Sequence, residues 1–269
     1  MKFKPLRVTA AICLALCPLL VSAQDQNLKD KVNAGLDALQ QGRASDAEKI
    51  LTDALKESEA QKLGDKTPLG IFDGLGAIYL NQAKYAEAEQ QFRRTLEMRE
   101  RTKGAEHLDL VYSLNNLGAL NAKQRKFTEA EKYYLRSLDI MQKSSGVDVS
   151  MVTGTLNNLG GVFYDQEKYA QAEPLLKQSL GIREKYLGAE HPSVAPSLLG
   201  LASLYRKQEK YKEAEPLYQR AIAIMEKRPG ANHPSLATAL EHYAMLLRKT
   251  NRETEAKKLE ERAKAIRGK

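Results

Sequence analysis

The chain has 269 residues, is 42% hydrophobic and 28% charged, and carries a formal net charge of +8. This length supports a substantial buried core. Its two cysteines, Cys13 and Cys17, both lie ahead of Ser22, so the chain beyond them can form no disulfide, thiolate nucleophile or cysteine metal site. The positive charge is uneven, because residues 201–269 hold 16 Lys and Arg against 9 Asp and Glu. Such an excess attracts acidic partners, though a solvated helical surface has the same composition.

Residues 1–23 have the form of a secretory signal. Lys2, Lys4 and Arg7 make a basic start, Val8 to Val21 an apolar core, and Val21-Ser22-Ala23 places small residues at −3 and −1 of a cleavage point. Retention as an anchor is the alternative, although the apolar run is short for a spanning helix. A lipidated cysteine requires a small residue before it, and Cys13 and Cys17 follow Ile12 and Leu16. The expected destination is the bacterial envelope, most simply the periplasm, with no stable membrane span after cleavage. A chain without thiols tolerates that oxidising compartment.

Residues 24–269 repeat. Leu75, Leu117, Leu159 and Leu201 stand 42 residues apart, as do Ala88, Ala130, Ala172, Ala214 and Ala256. Tyr85, Phe127, Tyr169 and Tyr211 keep the same step, as do Gly104, Gly146, Gly188 and Gly230. A shared period of this size means stacked copies of one small unit. A degenerate first copy occupies 24–66, where Ala47-Glu48 matches Ala88-Glu89 at a spacing of 41. Core copies fill 67–251, starting near Gly70, Leu110, Ser150, Pro192 and Pro234. Residues 252–269 form a last, polar capping helix with Ala256, Leu259, Ala263 and Ile266 facing inward.

One copy, Pro192 to Gly230, shows the plan. Leu198, Leu201, Leu204 and Tyr205 recur at helical spacing, and Pro192 suits the first helical position. A polar turn from Lys207 to Lys210 leads to a second helix with Tyr211, Ala214, Leu217, Tyr218, Ala221 and Met225 on one face. Pro216, and Pro174 in the copy before, are expected in the first turn, where backbone donors lack intrahelical partners. Gly230 allows a left-handed cap. Ala202 and Ala214 mark the closest approach of the two helices, and Gly76, Gly118 and Gly160 take the Ala202 position earlier. The pair has apolar residues on more than one face, so neighbours must cover it.

Leu159-Gly160, Phe163, Ala172, Leu176 and Ser179 resemble the tetratricopeptide repeat, as do Leu201-Ala202, Tyr205, Ala214, Tyr218 and Ala221. The usual repeat has about 34 residues, and the extra ones here fall late in the second helix. Leu114-Asn115-Asn116-Leu117, Leu156-Asn157-Asn158-Leu159 and Gly188-Ala189-Glu190-His191-Pro192 resemble the long, kinesin-light-chain type. The resemblance implies an all-α, right-handed superhelical solenoid of about six antiparallel helix pairs. It also implies that the first helix of each pair lines the inner groove.

No catalytic signature occurs: there is no His-Glu-x-x-His, Gly-x-Ser-x-Gly or phosphate-binding Gly-x-x-x-x-Gly-Lys. The sequence is therefore read as non-enzymatic, without cofactor or metal. His107, His191 and His233 recur at one loop position and read as helix-start residues. Glu89, Glu131, Glu173 and Glu215 read as first-turn residues that suit the helix dipole. The groove supplies the candidate site. Asn115, Asn116, Asn157 and Asn158 can bond the backbone of an extended peptide. Tyr164, Arg206, Lys207, Arg248 and Lys249 accompany them, and the arginines can grip a carboxylate at two points. Capping of their own helix is the competing reading for the asparagines. Leu199-Gly200 and Glu241-His242 replace the pair later, so the amide rows cover only the middle. The expected function is an exported scaffold holding a protein or peptide partner. The alternative is a non-peptide envelope ligand, such as a cell-wall fragment or other polyanion, on the basic C-terminal third. Nucleic acid is not expected, and oligomeric state is left open.

Overall fold

A computed structural model describes residues 23–227 and 234–268. The signal reading and the Gly230 and His233 readings fall outside these residues. The described chain is helical throughout, apart from turns and one 3-10 segment at Gly64–Lys66. It divides into two compact units between Ser145 and Gly146. The first holds α1 (Ala23–Gln40), α2 (Ala44–Ala60), α3 (Leu69–Asn81), α4 (Tyr85–Lys103), α5 (Leu110–Lys123) and α6 (Phe127–Lys143). The second holds α7 (Val149–Asp165), α8 (Tyr169–Leu187), α9 (Val194–Lys207), α10 (Tyr211–Glu226), α11 (Pro234–Lys249) and α12 (Glu253–Ile266). Inside each unit consecutive helices pair antiparallel, and each second helix packs on the first helix of the next pair. This is the stacked-pair architecture read from the period.

The recurring small residues act as expected. Ala88, Ala130, Ala172, Ala214 and Ala256 are all fully buried. A Cβ on Gly76 would stand 2.4 Å from the Phe92 ring, and one on Gly118 2.6 Å from the Tyr134 ring. In the second unit, Gly160 leaves room for Leu176 and Ala202 shares its core with Tyr218. The close approach is tightest at the glycines that face a ring, whereas at Ala202 the second unit holds a methyl group in the same core as a tyrosine. Gly118→Ala is expected to destabilise by about 1–3 kcal/mol through overpacking. Adding Tyr134→Leu removes the ring atoms that the new Cβ would meet, so a double-mutant cycle in urea should read a non-additive coupling between the two positions.

The turn inside each pair has a device the periodicity did not announce. Ala83, Arg125, Glu167, Glu209 and Asn251 all have φ between 57° and 61°. Each is the left-handed residue that reverses the chain between the two helices, and the equivalent in the first pair is Gly42 at φ 76°. A left-handed residue is normally unfavourable for side chains with a Cβ. Here it is held by bonds such as Lys168 N–H to Phe163 O at 2.8 Å and Lys210 N–H to Tyr205 O at 2.9 Å. The long exits use glycine instead, with φ of 92° at Gly104 and 93° at Gly188.

Three local expectations are corrected. Pro192 lies in the turn ahead of α9, which begins at Val194. The turn is closed by Val194 N–H to His191 O at 2.8 Å, so the proline precedes the helix. Pro174 and Pro216 lie one turn deeper than expected, as the sixth residues of α8 and α10. Both are exposed, so the carbonyls they leave unbonded, at Ala170 and Lys212, can face water and the helices continue. The repeated glutamates also sit past the first turn. Two of them tie their pair to the next, Tyr205 donating to Glu173 at 3.1 Å and Tyr243 to Glu215 at 2.7 Å, whereas Glu89 holds Arg93 within its own helix.

Candidate partner-binding face

The second unit contains a hollow of about 260 Å³ lined by Asn157, Gly161, Tyr164, Leu176, Pro196, Gly200 and Ser203. Its walls are the first helices of two successive pairs, α7 and α9, and Leu176 of α8 contributes from between them. Glycine makes the space: a Cβ on Gly161 would meet nothing within 4 Å, and one on Gly200 would stand 3.3 Å from Leu176. Tyr164 is braced by Tyr169, with ring centroids 6.0 Å apart. Burial pushes the Tyr164 phenol above its usual range, and Arg206 pulls it back. The surface is mostly apolar, with Asn157 and Ser203 supplying polar groups.

Behind Asn157 lies a buried polar cluster. Its amide donates to Ser197 Oγ at 3.2 Å. Ser197 Oγ also meets Ser179 Oγ at 3.0 Å and accepts from Arg183 Nη1 at 2.6 Å. Arg183 Nε donates to Thr153 Oγ1 at 3.0 Å. Arg183 is only 8% exposed, and burial holds its guanidinium below the usual arginine range. It is absent from the sequence-based candidates because it sits on a second helix, away from the first-helix face that supplies them. A signal existed: Arg99 and Arg183 stand 84 residues apart, two periods, while Met141 and Met225 take the copies between and after.

The predicted site residues separate by position. Asn157 and Tyr164 line the hollow, while Asn158 is exposed beside it. Arg206 Nε reaches the Tyr218 hydroxyl at 3.4 Å, and Lys207 and Lys249 are exposed. Arg248 is held by Glu260 at 2.9 Å and Glu253 at 2.6 Å. Asn115 and Asn116 lie half-buried on α5 of the first unit, near exposed Tyr112. The histidines at helix starts take the structural part assigned to them. His107 Nδ1 accepts from Asp109 N–H and His191 Nδ1 from Ser193 N–H, both at 3.2 Å. Among the described residues no three His, Cys, Asp or Glu side chains are grouped to hold a metal, and no helix is long and apolar enough to cross a membrane.

His242 adds a titrating group to this face. Burial lowers its pKa from 6.5, Arg206 lowers it further, and Glu241 opposes both. The unfolded chain therefore binds a proton that the folded one refuses, so stability should rise with pH up to about 6.5 and fall as acid is added below it. His242→Gln is expected to flatten that part of a urea-midpoint against pH curve.

The matches with known proteins fit this geometry. The tetratricopeptide repeat profile matches residues 67–143, 152–227 and 197–269, and the chain belongs to the tetratricopeptide repeat family. No curated protein matches the sequence. Among solved structures, BtubC (BKLC) from P. vanneervenii has a TM-score of 0.62 at 18% identity, covering 92% of each chain. Pseudomonas aeruginosa pilF has a TM-score of 0.61 at 20% identity, over 91% of this chain and 94% of its own. The kinesin-light-chain TPR-like repeats of Podosopora anserina have a TM-score of 0.58 at 23% identity, over 73% of this chain and 93% of theirs. These likenesses establish the fold and its kinesin-light-chain-like neighbours.

Proposed function

We propose that this protein is an exported, non-catalytic tetratricopeptide scaffold that holds a protein partner, as an extended peptide segment, on the first-helix face of its repeats. The observation that carries the reading is the hollow between α7 and α9, an apolar recess with an amide at its edge. An extended chain offers side chains to such a recess and backbone groups to Asn157. Arg206 and Lys207 favour acidic character in that segment. The export part rests on the basic, apolar and small-residue order of residues 1–23.

The polyanion alternative draws on the basic C-terminal third. Pairing works against it: Arg252 binds Glu215 and Glu255, Arg262 binds Glu226, and Arg267 binds Glu241. The combined replacement of Asn115, Asn157 and Arg206 tests the main reading in a pull-down from envelope extract. Loss of the captured proteins is expected, and unchanged capture overturns the groove. Retention on heparin at physiological salt, weakening steeply as salt is added, would favour the polyanion instead.

A further inference from the structure

The two units carry the same buried arginine in different electrical states. In the first, Arg99 of α4 donates to Ser113 of α5 and forms an ion pair with Asp73 of α3 at 2.8 Å. In the second, each member has its counterpart two periods on: Arg183 for Arg99, Ser197 for Ser113 and Asn157 for Asp73. The hydroxyl contact persists, and the carboxylate has become an amide. Among the described residues no Asp or Glu forms an ion pair with Arg183, whose bonded partners are the Ser197 and Thr153 hydroxyls. A guanidinium 8% exposed and without a counter-charge is unfavourable in the free protein. Neutralisation offers no escape, since arginine stays protonated.

The place of the missing charge is known from the first unit. Asp73 receives Arg99 Nη2, and the position of Asp73 corresponds to Asn157, which lines the hollow. Asn157 fills that position with an uncharged amide and also lines the recess open to a ligand. We propose that the second unit is a receptor for a carboxylate: an acid group of the bound peptide takes the part Asp73 plays in the first unit, beside Asn157 and against Arg183, while an adjacent apolar side chain enters the hollow. This rests on the peptide-groove reading and gives its ligand a chemistry. The hydrogen-bond geometry suits a planar acid, because Arg183 commits Nε and Nη1 to the Thr153 and Ser197 hydroxyls and the guanidinium fork favours carboxylates. Desolvation around Arg183 strengthens the pairing over one made at exposed Lys207.

The acid could be a chain terminus or a side chain, and three small probes separate these. N-acetyl-leucine presents a terminal carboxylate beside an apolar group. Acetyl-leucyl-glutamate amide presents a side-chain carboxylate, and acetyl-leucyl-glutamine amide presents none. The full-length ¹⁵N-labelled protein is titrated with each, following the Arg183 Nε–H resonance, identified by its loss in Arg183→Lys. Saturable movement with either acid, and none with the glutamine probe, is expected; the acid active at lower concentration names the source. Asn157→Asp supplies the charge internally. It should fold, resist urea better than the unaltered protein, and lose the response by at least about tenfold, as an internal competitor would. No saturable movement with either acid up to solubility, equal movement with the glutamine probe, or an undiminished response in Asn157→Asp each overturns the proposal. Partner capture by Asn157→Asp equal to that of the unaltered protein, alongside loss in the triple replacement, would leave the groove standing and remove the carboxylate receptor.

Discussion

Asp73→Ala is expected to destabilise the protein by about 2–4 kcal/mol, because it leaves the Arg99 guanidinium uncompensated inside the first unit. Arg99 and Asp73 side chains are 13% and 23% exposed, so water screens the stranded charge only weakly. Burial pushes the Asp73 carboxyl above its ordinary range while Arg99 draws it down. The pair itself is thus no great source of stability, and the loss comes from separating its members. Asp73→Asn should lose less, since an amide oxygen can still accept from Nη2, although Asn157, the residue two periods on, bonds Ser197 instead of Arg183. Repeats couple mainly to their neighbours. Hydrogen exchange should therefore quicken in α3, α4 and α5 and leave α10 to α12 unchanged. Uniform quickening along the chain would refute this local account.

The contrast between Arg99 and Arg183 explains what the sequence could and could not disclose. The 42-residue step carried the helix pairs because one small residue must recur wherever two helices approach closely, and Ala88, Ala130, Ala172 and Ala214 obey that demand. The helix-start histidines and inward residues of α12 were legible for the same reason: Ala256 and Ala263 are buried, and Leu259 and Ile266 pack against the same core. Asn157 and Tyr164 were found by asking which positions on a first helix the core does not use. Arg183 was not found, since its role depends on residues from three helices and on the amide that stands where Asp73 stood. Its meaning appears only at twice the period. The hollow was equally silent, because Gly161 and Gly200 are read from sequence as weak helix formers until their facing placement shows the space they leave. Pro174 and Pro216 were misplaced by a turn because boundaries derived from periodicity are loose, and exposure rather than position lets those helices continue.

Filling that space separates binding from folding. Gly161→Leu places a side chain where a Cβ meets nothing within 4 Å, in the interior of α7. Replacing glycine inside a helix gains about 0.5–1 kcal/mol of backbone stability, so the urea midpoint should hold or rise. The same side chain occupies the recess that a partner residue would enter. Burying one apolar side chain is worth about 1.5–3 kcal/mol, so its exclusion should weaken partner capture roughly tenfold to a hundredfold. Gly181→Leu is the matched control, because Gly181 is exposed on α8 with equally open surroundings and does not line the hollow. It should gain comparable helix stability and capture the partner normally. If Gly161→Leu is stable and still captures the partner at full strength, the recess between α7 and α9 is not where the partner sits, and the acid-binding role of Arg183 loses its adjoining pocket with it.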